Sequence, residues 1–225
     1  MTIKANLDQV RSRITAASIR AGRDPSSVKL VAVSKKKSLE LIQEAFAAGQ
    51  RIFGENYVQE ALEKKVIVPA AEFHLIGPLQ SNKVKKVVGN FSLIHSVHKL
   101  DLAHEISKAA ASRGITQAIL LQVNVAGDEN KSGLDQAEVF AVVEQVVKLK
   151  NIKLLGLMTI GREGAEREER RAEFRRLRDL RVAIEQQNSI TLPELSMGMS
   201  DDFEIAIEQG ATIVRVGSLI FGSRV

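Results

Sequence analysis

The chain has no cysteine, which excludes disulfides, thiolate catalysis and cysteine-ligated zinc. A cytoplasmic location is the default expectation. Tryptophan is missing too, and a single tyrosine accompanies eight phenylalanines, so few aromatic platforms are available to stack on nucleic-acid bases. No apolar run reaches the roughly 20 residues that span a bilayer. The opening segment, MTIKANLDQVRSRITAASIR, lacks the apolar core of a secretory signal and reads as an amphipathic helix. No linker or low-complexity tract interrupts the 225 residues, and a single domain over 1–225 is expected.

The formal net charge is +5, but the basic residues are spread along the chain. Their densest run, GREGAEREERRAEFRRLRDLR, interleaves Glu and Arg at helical spacing, the pattern of a solvated helix with ion pairs three and four residues apart. Neither nucleic acid nor membrane is expected as a partner.

What the chain does contain is an alternation. Short aliphatic runs occur at KLVAVS, RIFG, EFHLIG, SLIHS, AILLQVNV, KLLGLMTI, LPELSM and TIVRVG. Between them lie stretches of helical periodicity such as LELIQEAFAAG, LAHEISKAAASRG, QAEVFAVVEQVVKLK and DDFEIAIEQG. Gly49, Gly114 and Gly210 close three of these and suit a left-handed cap. Strands alternating with helices pair in parallel through crossovers. Eight such units after one extra N-terminal helix give an α/β fold of the (β/α)8 barrel type. The competitor, a doubly wound open sheet, lacks its G-x-G-x-x-G fingerprint after the first strand.

In a barrel the functional groups sit at the carboxyl ends of the strands, with phosphate commonly held after strands seven and eight. The first run ends in Ser34-Lys35-Lys36-Lys37. Lysines often simply terminate a strand in water. Strand parity, however, puts Lys35 on the face of Val31 and Val33, pointing into the barrel mouth. Partial desolvation and two cationic neighbours would lower its pKa and favour the neutral amine that Schiff-base chemistry needs.

The second run leads into Asn56, a polar contact or an ordinary helix cap. His74, His95, His98 and His104 show no metal-ligand spacing and read as structural, so no metal is expected. After the seventh run, Gly198 sits between two methionines. Ser200 follows, and Asp201 and Glu204 fit a capping-box interval, so a helix starts near there. After the eighth, Gly217 and Ser218 open a short apolar segment. These are either two ordinary turns or a phosphate cradle built of backbone N–H groups and hydroxyls. Arg215, among aliphatic neighbours, needs an acceptor if it is buried.

Together VAVSK, FGENYVQE, HLIGPLQSNK, NKSG, GLMTI, SMGMSDDFEIAI and VRVGSLIFG closely resemble the pyridoxal-phosphate homeostasis protein family. These are single-domain proteins similar to the N-terminal barrel of alanine racemase, and the resemblance covers nearly the whole chain. It implies a pyridoxal 5′-phosphate cofactor in Schiff-base linkage to Lys35. It further implies that the phosphate is held by Ser200, the Gly198-Met199 backbone, Gly217 and Ser218. Arg215 would face the pyridine nitrogen, and Asn56 would lie near the cofactor. Ser218 departs from the threonine usual in the family, but the hydroxyl survives.

The implied function is intracellular vitamin B6 and amino- and keto-acid homeostasis without established catalysis, with apo-enzymes that use pyridoxal phosphate as recipients and a monomer or weak dimer as the assembly. Lys36, Lys37 and Lys83 are candidate relay amines. The alternatives are a low-activity racemase, although racemases take a tyrosine base from an extra domain that is not expected here, and an aldolase-like barrel in which Lys35 attacks a sugar phosphate.

Overall fold

The computed structural model describes residues 2–128, 132–162 and 164–222. Asn130 and Lys131 of the NKSG motif lie outside the described residues. Helix α1 (Ile3–Arg20) precedes β1 (Lys29–Val33), and strands and helices then alternate. In chain order these are α2 (Leu39–Ala47), β2 (Ile52–Glu55), α3 (Val58–Ile67), β3 (Glu72–Leu75), α4 (Val84–Val87), β4 (Leu93–Val97), α5 (Leu100–Ala111) and β5 (Gln117–Gln122). They continue with α6 (Gln136–Val146), β6 (Ile152–Met158), α7 (Arg167–Asn188), β7 (Glu194–Ser196), α8 (Phe203–Glu208), β8 (Ile213–Val216) and α9 (Ser218–Phe221). The eight strands close into a barrel in sequence order, and β1 and β8 complete it as a parallel pair. The expected (β/α)8 architecture with its extra N-terminal helix is what the chain adopts.

Two apolar regions result from the alternation of side chains along each strand. The larger lies between the sheet and its surrounding helices and includes Phe53, Phe73, Ile94, Ile106, Phe174 and Phe203. The smaller gathers Val31, Leu93, Leu120, Met158 and Ile213 from five different strands, the branched and long side chains that fill a barrel's interior. Helix α1 buries Ile3, Leu7, Val10, Ile14 and Ala17 at three- and four-residue spacing. It lies over the last elements of the chain: Asn6 Nδ2 donates to the Ile220 carbonyl at 2.9 Å, and Arg13 pairs with Glu204 above the Phe203 ring. Gly49, Gly114 and Gly210 adopt the left-handed backbone expected of them.

The arginine-rich helix α7 departs in part from expectation. Arg171–Glu168 and Arg181–Glu185 are the anticipated neighbours along the helix. Other contacts, however, reach out to α8 and the turn before it: Arg171 meets Glu208 at 2.8 Å and Arg170 meets Asp202 at 3.0 Å. One face of the helix is therefore tied down rather than solvated.

At Gly156 of β6 the chain passes so close to β7 that an added Cβ would lie 1.8 Å from the Glu194 carbonyl oxygen. The backbone there (φ 158°) coincides with a register irregularity between β5 and β6. Gly156→Ala is expected to lower stability by about 3 kcal/mol, the upper range for overpacking; chemical denaturation measures it.

Candidate functional site

Strand β1 stops at Val33, two residues before Lys35, so parity is extrapolated past the true strand end. A turn follows, with the Lys37 N–H on the Ser34 carbonyl at 3.1 Å. Lys36 takes a left-handed backbone, φ 58°, which a non-glycine residue adopts only at a cost of about 1 kcal/mol. Lys35 nevertheless lines a cavity at the barrel mouth.

A buried ionic cluster holds this turn. Lys64, from α3, is buried and donates to the Ser34 carbonyl at 2.6 Å, to Glu55 Oε1 at 2.7 Å and to Glu60 Oε1 at 2.6 Å. An ammonium has three protons, and each has an acceptor here. Glu60 Oε1 also accepts the N–H of left-handed Lys36 at 2.5 Å, and the Ser34 hydroxyl donates to Glu55 Oε1 at 2.5 Å. Burial pushes the Glu55 carboxyl above its ordinary range, against the opposing pull of Lys64 and Ser34. Its second oxygen, Oε2, is buried with no hydrogen-bond partner among the described residues. Sequence reading missed Lys64 entirely; the Glu60–Lys64 spacing of four was the one available signal.

The cavity measures about 260 Å³ and brings Lys35 together with Met199, Ser200, Arg215, Gly217 and Ser218. The turns after β7 and β8 are joined directly, since the Gly217 N–H donates to Ser200 Oγ at 3.3 Å. Gly198 is required where it stands: its φ is +92°, and a Cβ would come within 2.6 Å of the Ala206 Cβ. The capping-box expectation is corrected. Asp202 rather than Asp201 stands immediately before helix α8, and its side chain does not cap the helix; the carboxylate turns back to accept the Met199 N–H at 2.6 Å while meeting Arg170. Lys37 reaches the far side of the mouth, donating to the carbonyls of Phe221 and Gly222 at 3.1 Å each.

Arg215 is buried, and its acceptors lie inside the barrel. Nη1 donates to Ser196 Oγ at 2.7 Å and Nη2 to the Thr159 carbonyl at 2.9 Å. Burial lowers its pKa to about 10, with the nearby Asp202 carboxylate pulling the other way. Ser196 Oγ lies 2.9 Å from His95 Nδ1, and His95 Nε2 lies 3.0 Å from His74 Nδ1. Burial holds both imidazoles neutral: His74 is pushed down to about 3, and His95 falls well below its ordinary value. Both are strand residues in the interior, in keeping with the structural reading.

Asn56 stands apart. It lines a neighbouring cavity of about 600 Å³ with Tyr57, Pro78, Leu79, Gln80 and Lys83, and the structure does not bring it to the cavity of Lys35. Tyr57, not Asn56, precedes the first turn of α3 and is 51% exposed.

This arrangement defines a class. A family model described as the N-terminal domain of alanine racemase matches residues 4–225. Solved alanine racemase from Clostridium difficile 630 shares the barrel (TM-score 0.78) at 14% identity, with this chain covering 57% of it. Within that class, the curated protein of Aquifex aeolicus is 45% identical over 97% of this chain and 96% of its own length. That of Pseudomonas aeruginosa is 44% identical over 99% of this chain and 96% of its own length; both are named pyridoxal phosphate homeostasis protein. PipY of Synechococcus elongatus, solved with PLP bound, superposes with a TM-score of 0.89 at 39% identity, covering 98% of this chain and all of its own. The chain belongs to the pyridoxal phosphate homeostasis protein family.

Three outcomes follow from the geometry. Lys64→Met should cost about 3–5 kcal/mol, because it strands the buried Glu55 carboxylate; urea unfolding measures the loss. Lys36→Gly should gain up to about 1 kcal/mol by relieving the left-handed backbone, read by the same method. His74, neutral when folded, titrates at 6.5 when unfolded and at about 3 when folded. Its contribution to stability is therefore fully present above the unfolded value and is lost as pH falls toward the folded one. A His74→Asn variant should show a flatter stability-against-pH profile over that window.

Proposed function

We propose that this chain binds pyridoxal 5′-phosphate through Lys35 and serves in intracellular pyridoxal-phosphate homeostasis rather than in turnover of a substrate. The observation that carries this reading is the convergence of Lys35, two hydroxyls and a guanidinium on a single cavity at the carboxyl ends of β1, β7 and β8, with Lys37 on its wall donating to the carbonyls of Phe221 and Gly222. Those residues fit the group. Lys35 supplies the amine for covalent attachment. Ser200, Ser218, Gly217 and the Gly198-Met199 turn form the phosphate cradle, with the two hydroxyls as donors. Bound there, the cofactor would supply an aldehyde carbon and an electron-withdrawing ring.

Arg215 would face the ring nitrogen. A buried cation at that position opposes protonation of the nitrogen and so weakens the ring as an electron sink. This agrees with relatives that are named as homeostasis proteins and not as catalysts. The racemase alternative is not favoured: its second base would have to be the one tyrosine, and Tyr57 lines the other cavity. Asn56 lines that other cavity as well and is not among the residues around Lys35. Lys83, also there, is the candidate relay amine toward recipient apo-enzymes, with the protein acting as a monomer or weak dimer in the cytoplasm and as a single domain over 1–225.

Borohydride reduction after incubation with pyridoxal phosphate should add the cofactor's mass to the peptide containing Lys35, and Lys35→Ala should abolish the addition. An unmodified wild-type protein would overturn the assignment. Ser200→Ala should weaken binding about tenfold, the loss of one hydrogen bond to a charged group, as measured by the titrated absorbance of the bound cofactor.

A further inference from the structure

Three buried polar side chains have no part in the cofactor site as assigned: Ser196, His95 and His74. With Arg215 they form a continuous hydrogen-bonded line through the barrel interior. Its steps are 2.7 Å from Arg215 Nη1 to Ser196 Oγ, 2.9 Å to His95 Nδ1, and 3.0 Å from His95 Nε2 to His74 Nδ1. Beyond it, His74 Nε2 lies 4.0 Å from Glu72 Oε2, at the start of β3. All three members are buried, and an unmatched polar atom at such depth is costly.

The chemistry of the two ends gives the line a direction. A guanidinium has donors only, and a carboxylate has acceptors only. Ser196 Oγ therefore accepts from Arg215, and its single hydrogen is left for His95 Nδ1. His95 then carries its proton on Nε2 and donates to His74 Nδ1. His74 carries its own proton on Nε2, facing Glu72. The reverse order would turn a bare His74 nitrogen toward the Glu72 carboxylate and take the Ser196 hydroxyl hydrogen off the line. A second proton on His74 would set its Nδ1 against the His95 Nε2 proton, and one on His95 would turn the Ser196 hydroxyl hydrogen off the line. The charged groups around the line agree with two neutral rings: Arg215 stands beside His95 and Lys29 beside His74, and Lys29 is paired with Glu194.

Every acceptor end in this line faces Arg215 and every donor end faces away. Aligned dipoles of this kind polarise one another and favour a cation at the acceptor end. We propose that Ser196, His95 and His74 form a one-way donor chain that fixes the plane of the Arg215 guanidinium and sustains its charge at the floor of the Lys35 cavity. They are thus positioning residues for the cofactor's ring nitrogen. The last link rests on the pyridoxal-phosphate reading above; the rest stands on hydrogen bonding within the chain itself.

Side-chain ¹⁵N NMR of histidine-labelled protein freed of cofactor tests the chain alone. Both buried rings should be neutral and protonated on Nε2, unchanged from about pH 6 to about pH 8, the range in which an ordinary histidine titrates. In Ser196→Ala the His95 signal should move. An Nδ1-protonated or titrating signal from either ring, or an unmoved His95 signal, would overturn the proposal. The link to the cofactor is read with ring-¹⁵N-labelled pyridoxal phosphate. Ser196→Ala should still be trapped at Lys35 by borohydride, but its ring-nitrogen signal should shift toward the protonated form; an unchanged signal defeats the positioning role. If wild-type protein takes up no pyridoxal phosphate, the proposed function fails, while the histidine signals still decide the chain.

Discussion

Four residue pairs join β1 to β8, from Lys29 opposite Ile213 to Ala32 opposite Val216, and through them the first strand meets the last. This ladder closes the barrel. It also sets the turn carrying Lys35 beside the turn carrying Gly217 and Ser218, and it puts Arg215 opposite Val31 on the neighbouring strand. None of the cavity's polar groups is near another of a different turn in sequence. Their convergence is a property of closure, and the small apolar cluster inside the barrel is what keeps the cylinder filled beneath them.

Two lines of hydrogen-bonded polar groups support the cavity's residues. One runs under Lys35 from Ser34 and Glu55 to Lys64 and Glu60; the other runs under Arg215 from Ser196 to His95 and His74. The first tolerates a left-handed lysine at position 36 because Glu60 captures its N–H. The second tolerates a buried guanidinium because its Nη atoms meet a hydroxyl and a carbonyl. In both, the cost of burying charge is offset by acceptors in place. The three consecutive lysines consequently have different roles: Lys35 lines the cavity, Lys36 forms the turn, and Lys37 lines the same cavity with its amine on the carbonyls that end α9.

Much of the architecture was legible because parallel strands buried on both faces read as unbroken aliphatic runs, and all eight runs became strands. The turns at Gly198 and Gly217 could be placed because a barrel gives its strand ends a known address. Lys35 reached its cavity by an argument that was only partly sound, since the strand ends at Val33. What stayed hidden depends on partners distant in sequence. Lys64 lies 30 residues from the Ser34 carbonyl it holds, and His95 lies 101 residues from Ser196. Asp201 fitted a local capping rule, yet Asp202 takes the position before α8 and turns its carboxylate to Met199 and Arg170, and no periodicity signals such a choice. Asn56 illustrates the same limit, one residue past β2 yet lining a different cavity.

Helix α1 lies across the segment that follows β8, through Asn6 on Ile220 and Arg13 on Glu204. In chain order its apolar stripe precedes by far α8 and α9, which cover much of it. The strand that leads to Lys35 likewise waits for β8. Contacts between distant parts of the chain form late and slowly, so until α8 and β8 are made, part of the α1 stripe has only α2 beside it and no complete cradle exists to hold a ligand. The ligand site and the full shelter for that helix arise in one final event.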